Sequence, residues 1–290
     1  MTGIEAKQLL MQAMGPLAVL AIALELLYFR RRRPVHELKD TLANLGLGAG
    51  AIVAETVLYG LFVFAITDWV YARRVATIPV NVGTVALLYV LADLGLYINH
   101  RLNHRVRLFW CTHVVHHSSE HMNLTTSVRR SAFTLFAGAS WITYLPLIVV
   151  GFDPGWMMFV LAVNLAYQFV LHTQGIPKLH WLVEYIMCTP SHHRAHHARN
   201  ARYIDRNFGG TFIIFDRLFG TFAEEHADEP PDYGAVRRPH TFNPITLSLQ
   251  EGVALWRAVR QPGPLRQRLR HLWKPPEWQR PQQALDQQPQ

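Results

Sequence analysis

Apolar stretches as long as a membrane-crossing helix are the feature that most limits how this 290-residue chain can fold. The hydrocarbon core of a bilayer is about 30 Å thick, and about 20 mostly apolar helical residues are needed to cross it. A chain inside that core must satisfy its own backbone hydrogen bonds, which favours helices. Five stretches meet or approach this length: 9–28, 42–67, 75–92, 131–150 and 156–171.

The placement of basic residues predicts how these helices are oriented. Four arginines at 30–33 follow the first stretch, and the cytoplasmic ends of membrane helices are enriched in Lys and Arg. If this end is cytoplasmic, the later helices return the chain to the same side near His100 and again near His172. Arg73 and Arg74 then lie on the opposite side, so the charge rule is obeyed only in part. We therefore predict an all-α, polytopic bundle of about four or five membrane helices with a cytosolic helical cap.

Composition divides the chain into three parts. Residues 1–75 contain the first membrane helices, residues 76–225 the later ones and most of the histidines, and residues 226–290 a polar tail that we expect to be solvated and partly disordered. The formal net charge is +8, but the arginines flank apolar stretches and form no nucleic-acid-binding motif, so no nucleic-acid partner is expected. Arg129 and Arg130 are expected to contact lipid headgroups.

Most of the sixteen histidines lie close together in the sequence, and their spacing predicts a metal site. Two triplets repeat an i, i+3, i+4 spacing, which places three imidazoles on one helical face within reach of a common ion. Imidazole suits iron, zinc, copper and nickel, and eight or nine imidazoles are too many for one ion, so two metals are expected. The candidate ligands are the pair His100 and His104, the triplets His113, His116, His117 and His193, His196, His197, and a ninth residue, His172.

Four further side chains are predicted to border the ligands and support them. Asp93 begins a helical stripe that continues through Tyr97 to the histidine pair, and we expect its carboxylate to accept the far N–H of a ligating imidazole. The alternative for Asp93 is an ion pair with Arg101. The other two are Gln168, one turn before the ninth candidate, and His192, beside the second triplet.

The three histidine motifs resemble the signature HxxxH, HxxHH and HxxHH of the fatty acid hydroxylase and sterol desaturase superfamily. They occur here in the same order, at 100–104, 113–117 and 193–197, and the resemblance covers about residues 85–225. The stretches HHSSEHMNLTTSVRRS and TPSHHRAHHARNARYIDRNFGGTFIIFDRLFGTF are especially similar to the alkylglycerol monooxygenase-like branch. Such an ordered motif is specific for the superfamily and unspecific for the substrate.

This resemblance implies a membrane-bound lipid hydroxylase or desaturase with a non-haem di-iron centre on the cytoplasmic face. It implies O2 as the oxidant, a lipid substrate that enters from the bilayer, and the histidines of the three motifs as iron ligands. His172 matches an additional histidine that follows the membrane hairpin in the family. Gln168 stands where some fatty acid hydroxylases carry another histidine, which predicts looser coordination at one iron.

The sequence contains no nucleotide-binding glycine loop, flavin site or haem-attachment motif, so the electrons are expected to come from a separate donor. For this branch the resemblance implies a reduced pterin, whereas other branches use NAD(P)H through cytochrome b5 or ferredoxin systems. A histidine-rich membrane metal transporter and a metal-stabilised structural membrane protein are the alternatives. A transporter should place its ligands inside the membrane spans rather than at their ends.

Overall fold

The structure is a computed structural model that describes residues 1–31, 35–134 and 139–280. Within these ranges the chain forms helices and two isolated β-bridges but no strand, which confirms the predicted all-α fold. Two expectations lie outside the described residues: the cytoplasmic position of Arg32 and Arg33, and the disorder of residues 281–290.

Four helical segments are long and apolar enough to cross a membrane. Only 6% to 28% of the residues in their apolar windows are buried in the protein, so most of their side chains are free to contact lipid. These segments make the chain an integral membrane protein. They are α1 (Gly3–Phe29), the continuous helix of α2 (Leu38–Leu58), a π-helical turn (Tyr59–Val63) and α3 (Phe64–Tyr71), then α4 (Val82–Arg105) and α7 (Pro154–Leu171).

The third span begins later in the sequence than its apolar composition suggested. Residues 75–78 are not helical and pair with the end of α6 (Ala139–Val150), through Val75 N–H to the Val149 carbonyl at 2.8 Å. Asn81 then caps α4 by accepting the Thr84 N–H, so the helix begins at Val82 and continues to Arg105. The described part of α6 has 12 residues, fewer than a crossing needs.

The membrane helices pack around an apolar core between α4, α6 and α7. Its buried members include Leu88, Ile148 and Met157. At the other side of α7, α1 approaches so closely that a Cβ on Gly3 would lie 2.3 Å from the backbone of Gly155. This packing holds α4 and α7 together, and thereby fixes the positions of their C-terminal ends relative to each other.

A buried polar cluster connects α2 to a 3-10 helix (Leu124–Val128) that follows α5 (Arg107–His117). Arg129 is 1% exposed and donates to Asp40 at 3.1 Å and to Asn44 at 2.7 Å. The prediction that Arg129 contacts lipid headgroups is therefore wrong. Its buried guanidinium is neutralised by a carboxylate inside the protein.

The C-terminal part of the chain is more ordered than its composition suggested. After three short helices, α8 (Trp181–Ile186), α9 (Pro190–His196) and α10 (Ile214–Leu218), the chain forms α11 (Pro244–Arg260) and α12 (Leu265–Trp273). Leu247 and Leu255 of α11 are buried, and Arg107 of α5 forms a 2.9 Å ion pair with Glu251. The expectation of a solvated tail is wrong for these two helices, because α11 has an apolar side that packs on the rest of the protein.

Candidate metal centre

Four separate segments bring the nine candidate ligands together. The last two turns of α4 carry the histidine pair, α5 carries the first triplet, and His172 follows α7 directly. The second triplet lies on α9, which begins with Pro190 in the first helical turn after Thr189, a position where proline is well tolerated.

These histidines form two adjoining groups, in each of which the possible ligand atoms lie within 4.8 Å of one another. We call them the five-histidine group and the four-histidine group. The spacing had suggested that each triplet would bind one common ion, but both triplets are divided between the two groups. His116 and His196 each belong to a different group from the other two members of their triplet. The five-histidine group contains His100, His104, His113, His117 and His196, and the four-histidine group contains His116, His172, His193 and His197.

The Nε2 atoms of neighbouring rings converge within each group. At about 3 Å, two imidazole nitrogens repel each other unless one carries a proton or a cation lies between them. Their arrangement is therefore the one expected around a cation. The Nε2 to Nε2 distances are 2.9 Å for His172–His193, 3.1 Å for His116–His172 and His193–His197, and 3.2 Å for His104–His117 and His113–His117.

Backbone carbonyls fix the other nitrogen, Nδ1, of four of these rings. A carbonyl oxygen can only accept, so the proton must be on Nδ1, and the Nε2 lone pair is free for a metal. This tautomer is assigned from the hydrogen-bond partners. The bonds run from His100 to Phe208 at 3.0 Å, from His116 to Arg129 at 3.2 Å, from His172 to Gln168 at 2.9 Å and from His196 to Arg206 at 2.7 Å.

Two observations indicate that a metal fits this donor set. The Nε2 atoms of His100 and His196 are buried and have no hydrogen-bond partner, a costly arrangement that a bound cation would relieve. Burial, and then the charge of neighbouring imidazoles, lowers the pKa of all members of both triplets well below the ordinary value, and burial lowers that of His172 to about 4. These rings are neutral at pH 7 and therefore able to bind a metal.

Asp93 has a different role from the one predicted. Its carboxylate accepts the backbone N–H groups of Thr211 at 2.8 Å and Phe212 at 2.9 Å, and the amide of Asn164 at 2.5 Å. It is hydrogen-bonded neither to a candidate ligand nor to Arg101, so both expectations for it are wrong. Asp93 instead fixes the chain just before α10 against α4 and α7.

Tyr97 also lies beside the site without touching a candidate ligand through its hydroxyl. That hydroxyl bonds to Thr221 at 2.9 Å and accepts from Arg101 at 3.2 Å. Its ring lies 6.3 Å from that of Phe208, whose carbonyl holds a candidate ligand. Tyr97 therefore supports the five-histidine group through packing.

Gln168 and His192 have different surroundings. The Gln168 side chain donates to Asn164 at 2.6 Å, while its backbone carbonyl accepts from His172. His192 lies 3.1 Å from a carboxylate oxygen of Glu184, and burial lowers its pKa to about 4. Gln168 thus positions a candidate ligand through its main chain, whereas His192 accepts the backbone N–H of Thr189 at 3.2 Å and belongs to neither group.

Several supporting groups were not predicted. Asp205 lies 3.4 Å from Nδ1 of His104 and also pairs with Arg105 at 2.6 Å. The ring of Trp110 packs 5.1 Å from that of His104. Asp205 is far from its partners in the sequence, and the only local signal is its left-handed backbone, with φ of 58°, which aspartate tolerates better than most residues.

Comparison with known sequences agrees with this geometry. Residues 85–221, which contain all nine candidate ligands, match the family described as fatty acid hydroxylase. The chain belongs to the fatty acid hydroxylase superfamily. Within this superfamily it is similar to the alkylglycerol monooxygenase-like branch, as its motifs indicated. No solved structure matches the chain.

The similar members of the superfamily include proteins from animals and bacteria. Alkylglycerol monooxygenase of Xenopus tropicalis is 35% identical over 83% of this chain and 53% of its own length. The human alkylglycerol monooxygenase is 42% identical over 57% of this chain and 36% of its own length. An ornithine lipid hydroxylase of Rhizobium tropici is 29% identical over 52% of this chain and 45% of its own length. The chain thus spans about half or less of the length of these relatives.

Proposed function

We propose that this chain is a membrane-bound, non-haem di-iron oxygenase that hydroxylates a lipid C–H bond with O2 and electrons from a separate donor. The observation that carries the proposal is the pair of adjoining histidine groups, whose possible ligand atoms lie within 4.8 Å of one another in each group. Nine neutral imidazoles suit two transition-metal ions, and the family similarity favours iron over zinc, copper or nickel.

Each histidine group would hold one iron. Bound iron would supply the activation of O2 and the oxidation of an unreactive C–H bond. The protein contributes rigid ligands, because backbone carbonyls orient four of the rings and set their tautomers. Neither group contains a carboxylate, so the charge of the ions is compensated only from outside, as by Asp205 next to His104.

A lipid is the proposed substrate, and hydroxylation is favoured over desaturation. The similar proteins are named for the oxygenation of alkylglycerols and the hydroxylation of ornithine lipids. The site lies where α4 and α7 end, and a lipid can reach such a place by moving within the bilayer. We further propose that this is the cytoplasmic face, as the arginines after α1 indicate.

We also propose that residues 76–225 form the catalytic unit, since the family match at 85–221 lies inside these bounds. Helices α1 to α3 before this unit and α11 and α12 after it would pack against it. Electrons would come from a reduced pterin or from an NAD(P)H-linked protein donor, and both are to be supplied in the assay.

The test combines metal analysis with product analysis. The full chain, purified in detergent with iron, should contain about two irons per chain and consume O2 only with reductant and an ether lipid or an ornithine lipid present. Under 18O2 the lipid product should gain one labelled oxygen, as detected by mass spectrometry. A His193→Ala variant should lose both properties, whereas His226→Ala, outside both groups and about half exposed, should keep them.

The same preparation distinguishes the alternatives. Bound metal without O2 consumption under any lipid and reductant would contradict the oxygenase. Metal flux into vesicles would then favour a transporter, and metal-dependent stability alone would favour a structural role.

A further inference from the structure

Helix α11 has apolar residues on two opposite sides. Leu247 and Leu255 face the protein and are buried. Ile245, Leu249 and Trp256 are 72%, 43% and 61% exposed, and Val253, also exposed, lies between the last two. The spacing of four, four and three residues places all four on one outer face of the helix. A row of exposed apolar side chains of this kind marks a surface that water does not cover in the working protein.

An apolar groove continues this outer face onto the neighbouring helix. The groove lies between α5 and α11 and has a volume of about 290 Å³. Its walls include Cys111 on α5, Phe133 beyond the 3-10 helix, and Leu249, Gly252 and Trp256 on α11. The apolar surface therefore extends beyond α11 onto a helix that carries candidate metal ligands.

The charges around this surface are almost all positive. Between residues 244 and 274 the chain has six basic residues and one acidic residue, Glu251. Glu251 pairs with Arg107 of α5, so its negative charge is neutralised within the protein. Arg257 and Arg260 are exposed, and the Arg260 guanidinium lies 5.6 Å from the ring of Trp256. A basic helix with an apolar face and a tryptophan is typical of binding in the plane of a membrane interface.

Helix α11 contacts α2 at the level where the hydrocarbon core of the membrane is expected to begin. A Cβ on Gly46 of α2 would lie 3.3 Å from the ring of Pro244, the first residue of α11. The helix from Leu38 to Tyr71 has 34 residues, more than a crossing requires. Counting about 20 residues back from Asp68 places the hydrocarbon boundary near residue 48. The first turn of α11 therefore meets the membrane-spanning helix where the hydrocarbon begins.

We propose that α11 is an interfacial membrane helix whose outer face inserts into the leaflet next to the metal centre. Its arginines, together with those of α12, bind anionic lipid headgroups. The bilayer that the chain already spans covers the exposed face and the groove. This inference does not depend on the proposed chemistry, because it concerns only where the helix lies.

Single-cysteine labelling of the reconstituted full chain tests the position of the helix. Cys111 and Cys188 are first replaced by alanine, and a fluorescent label is then placed at Leu249→Cys or Val253→Cys. Val53→Cys, on the lipid-exposed side of α2, is the membrane reference, and Asp228→Cys, whose native side chain is 75% exposed, is the water reference. Brominated lipids quench labels in the membrane, and iodide quenches labels in water.

We expect labels at 249 and 253 to lose fluorescence to brominated lipid as the label at 53 does, and to be shielded from iodide. Quenching by iodide equal to that at 228 would overturn the proposal. Shielding from both quenchers would overturn it as well, because a protein surface, such as a second copy of the chain, would then cover the helix. Normal gel-filtration behaviour of each variant establishes that it is folded.

A second measurement tests the headgroup part. Adding phosphatidylglycerol to phosphatidylcholine vesicles should increase the quenching of the label at 249 by brominated lipid, and about 0.5 M salt should remove the increase. The double variant Arg257→Gln, Arg260→Gln should lose much of the increase, while Arg237→Gln, outside the two helices, should keep it. Equal quenching in neutral and anionic vesicles would overturn this part.

Discussion

The two histidine groups differ in the number of their ligands and in the source of their support. The five-histidine group is held by residues 205–208, which provide the Asp205 carboxylate and the carbonyls of Arg206 and Phe208. The four-histidine group is held by the carbonyls of Gln168, at the end of α7, and Arg129, after the 3-10 helix. One group therefore depends on a single loop, and the other on the packing of the membrane helices.

If each group holds one metal, as proposed, this difference means that the two metals are not equivalent. A site with five imidazoles has fewer free coordination positions than one with four. We therefore expect the four-histidine group to be the more open of the two, and the more sensitive to the loss of one ligand.

Removal of one ligand from each group should have the largest effect. His172→Ala leaves three imidazoles in the four-histidine group, whereas His104→Ala leaves four in the other. Because loss of a supporting group already costs about 10- to 100-fold, we expect more than about 100-fold lower activity for His172→Ala. Iron content should fall further in His172→Ala than in His104→Ala, as measured by mass spectrometry of the metals. The reverse order would show that the five-histidine group is the weaker site.

The stability of the metal-free protein should depend on pH through both groups. The candidate ligands are neutral in the folded state because burial lowers their pKa, to about 4 for His172, whereas they ionise near 6.5 when unfolded. The unfolded state thus binds more protons below pH 6.5, so stability is complete above this pH and is lost as the pH falls towards 4. In this range each such histidine should lower the free energy of unfolding by about 1.4 kcal/mol for each unit by which the pH falls.

Thermal unfolding in detergent, followed by the reactivity of the buried Cys111 and Cys188, measures this dependence. Iron-loaded protein serves as the control and should be less sensitive between pH 6.5 and 5.5. A melting temperature of the metal-free protein that does not change over this range would contradict the assignment of neutral imidazoles.

Asp205→Asn should weaken one group alone. The carboxylate lies 3.4 Å from Nδ1 of His104, so its loss removes the charge that makes this imidazole a stronger ligand. We expect an affinity for the iron of the five-histidine group that is about 10-fold lower, measured by competition with a chelator. Asp228→Asn, at a largely exposed position, is the matched control. An equal loss of both irons would mean that the loop supports both groups.

Of these variants, Gln168→His should change the iron content least, but it should change the coordination of one iron. The side-chain amide of Gln168 bonds to Asn164, and it is the backbone carbonyl of Gln168 that contacts His172 of the four-histidine group. A histidine there is expected to add a fifth imidazole to that group and make the two groups more alike. Mössbauer spectra should show one changed iron with the total unaltered. Unchanged spectra would contradict the hypothesis that glutamine at position 168 leaves one iron more loosely coordinated.

The sequence predicted the membrane helices, the fold class and the nine histidines that converge, because each depends on local spacing or length. It did not predict how the histidines divide. His117 and His197 belong to different triplets and different groups, yet their rings stack at 4.5 Å, a result of how α5 and α9 cross. Asp93 and Arg129 were assigned to the wrong partners for a related reason. Their partners are distant in the chain, and spacing along one helix contains no information about them.

The division of each triplet between the two groups has a consequence for biosynthesis. Neither histidine group is complete until the ribosome has delivered His196 and His197 and the short helix α9, which ends at these residues, has docked. A nascent chain that ends after His172 would already have four of the five ligands of the five-histidine group, but only two of the four ligands of the other group. Full occupancy of both groups is therefore expected only after membrane insertion and the docking of α9, and a chain that fails at this last step should have the four-histidine group empty.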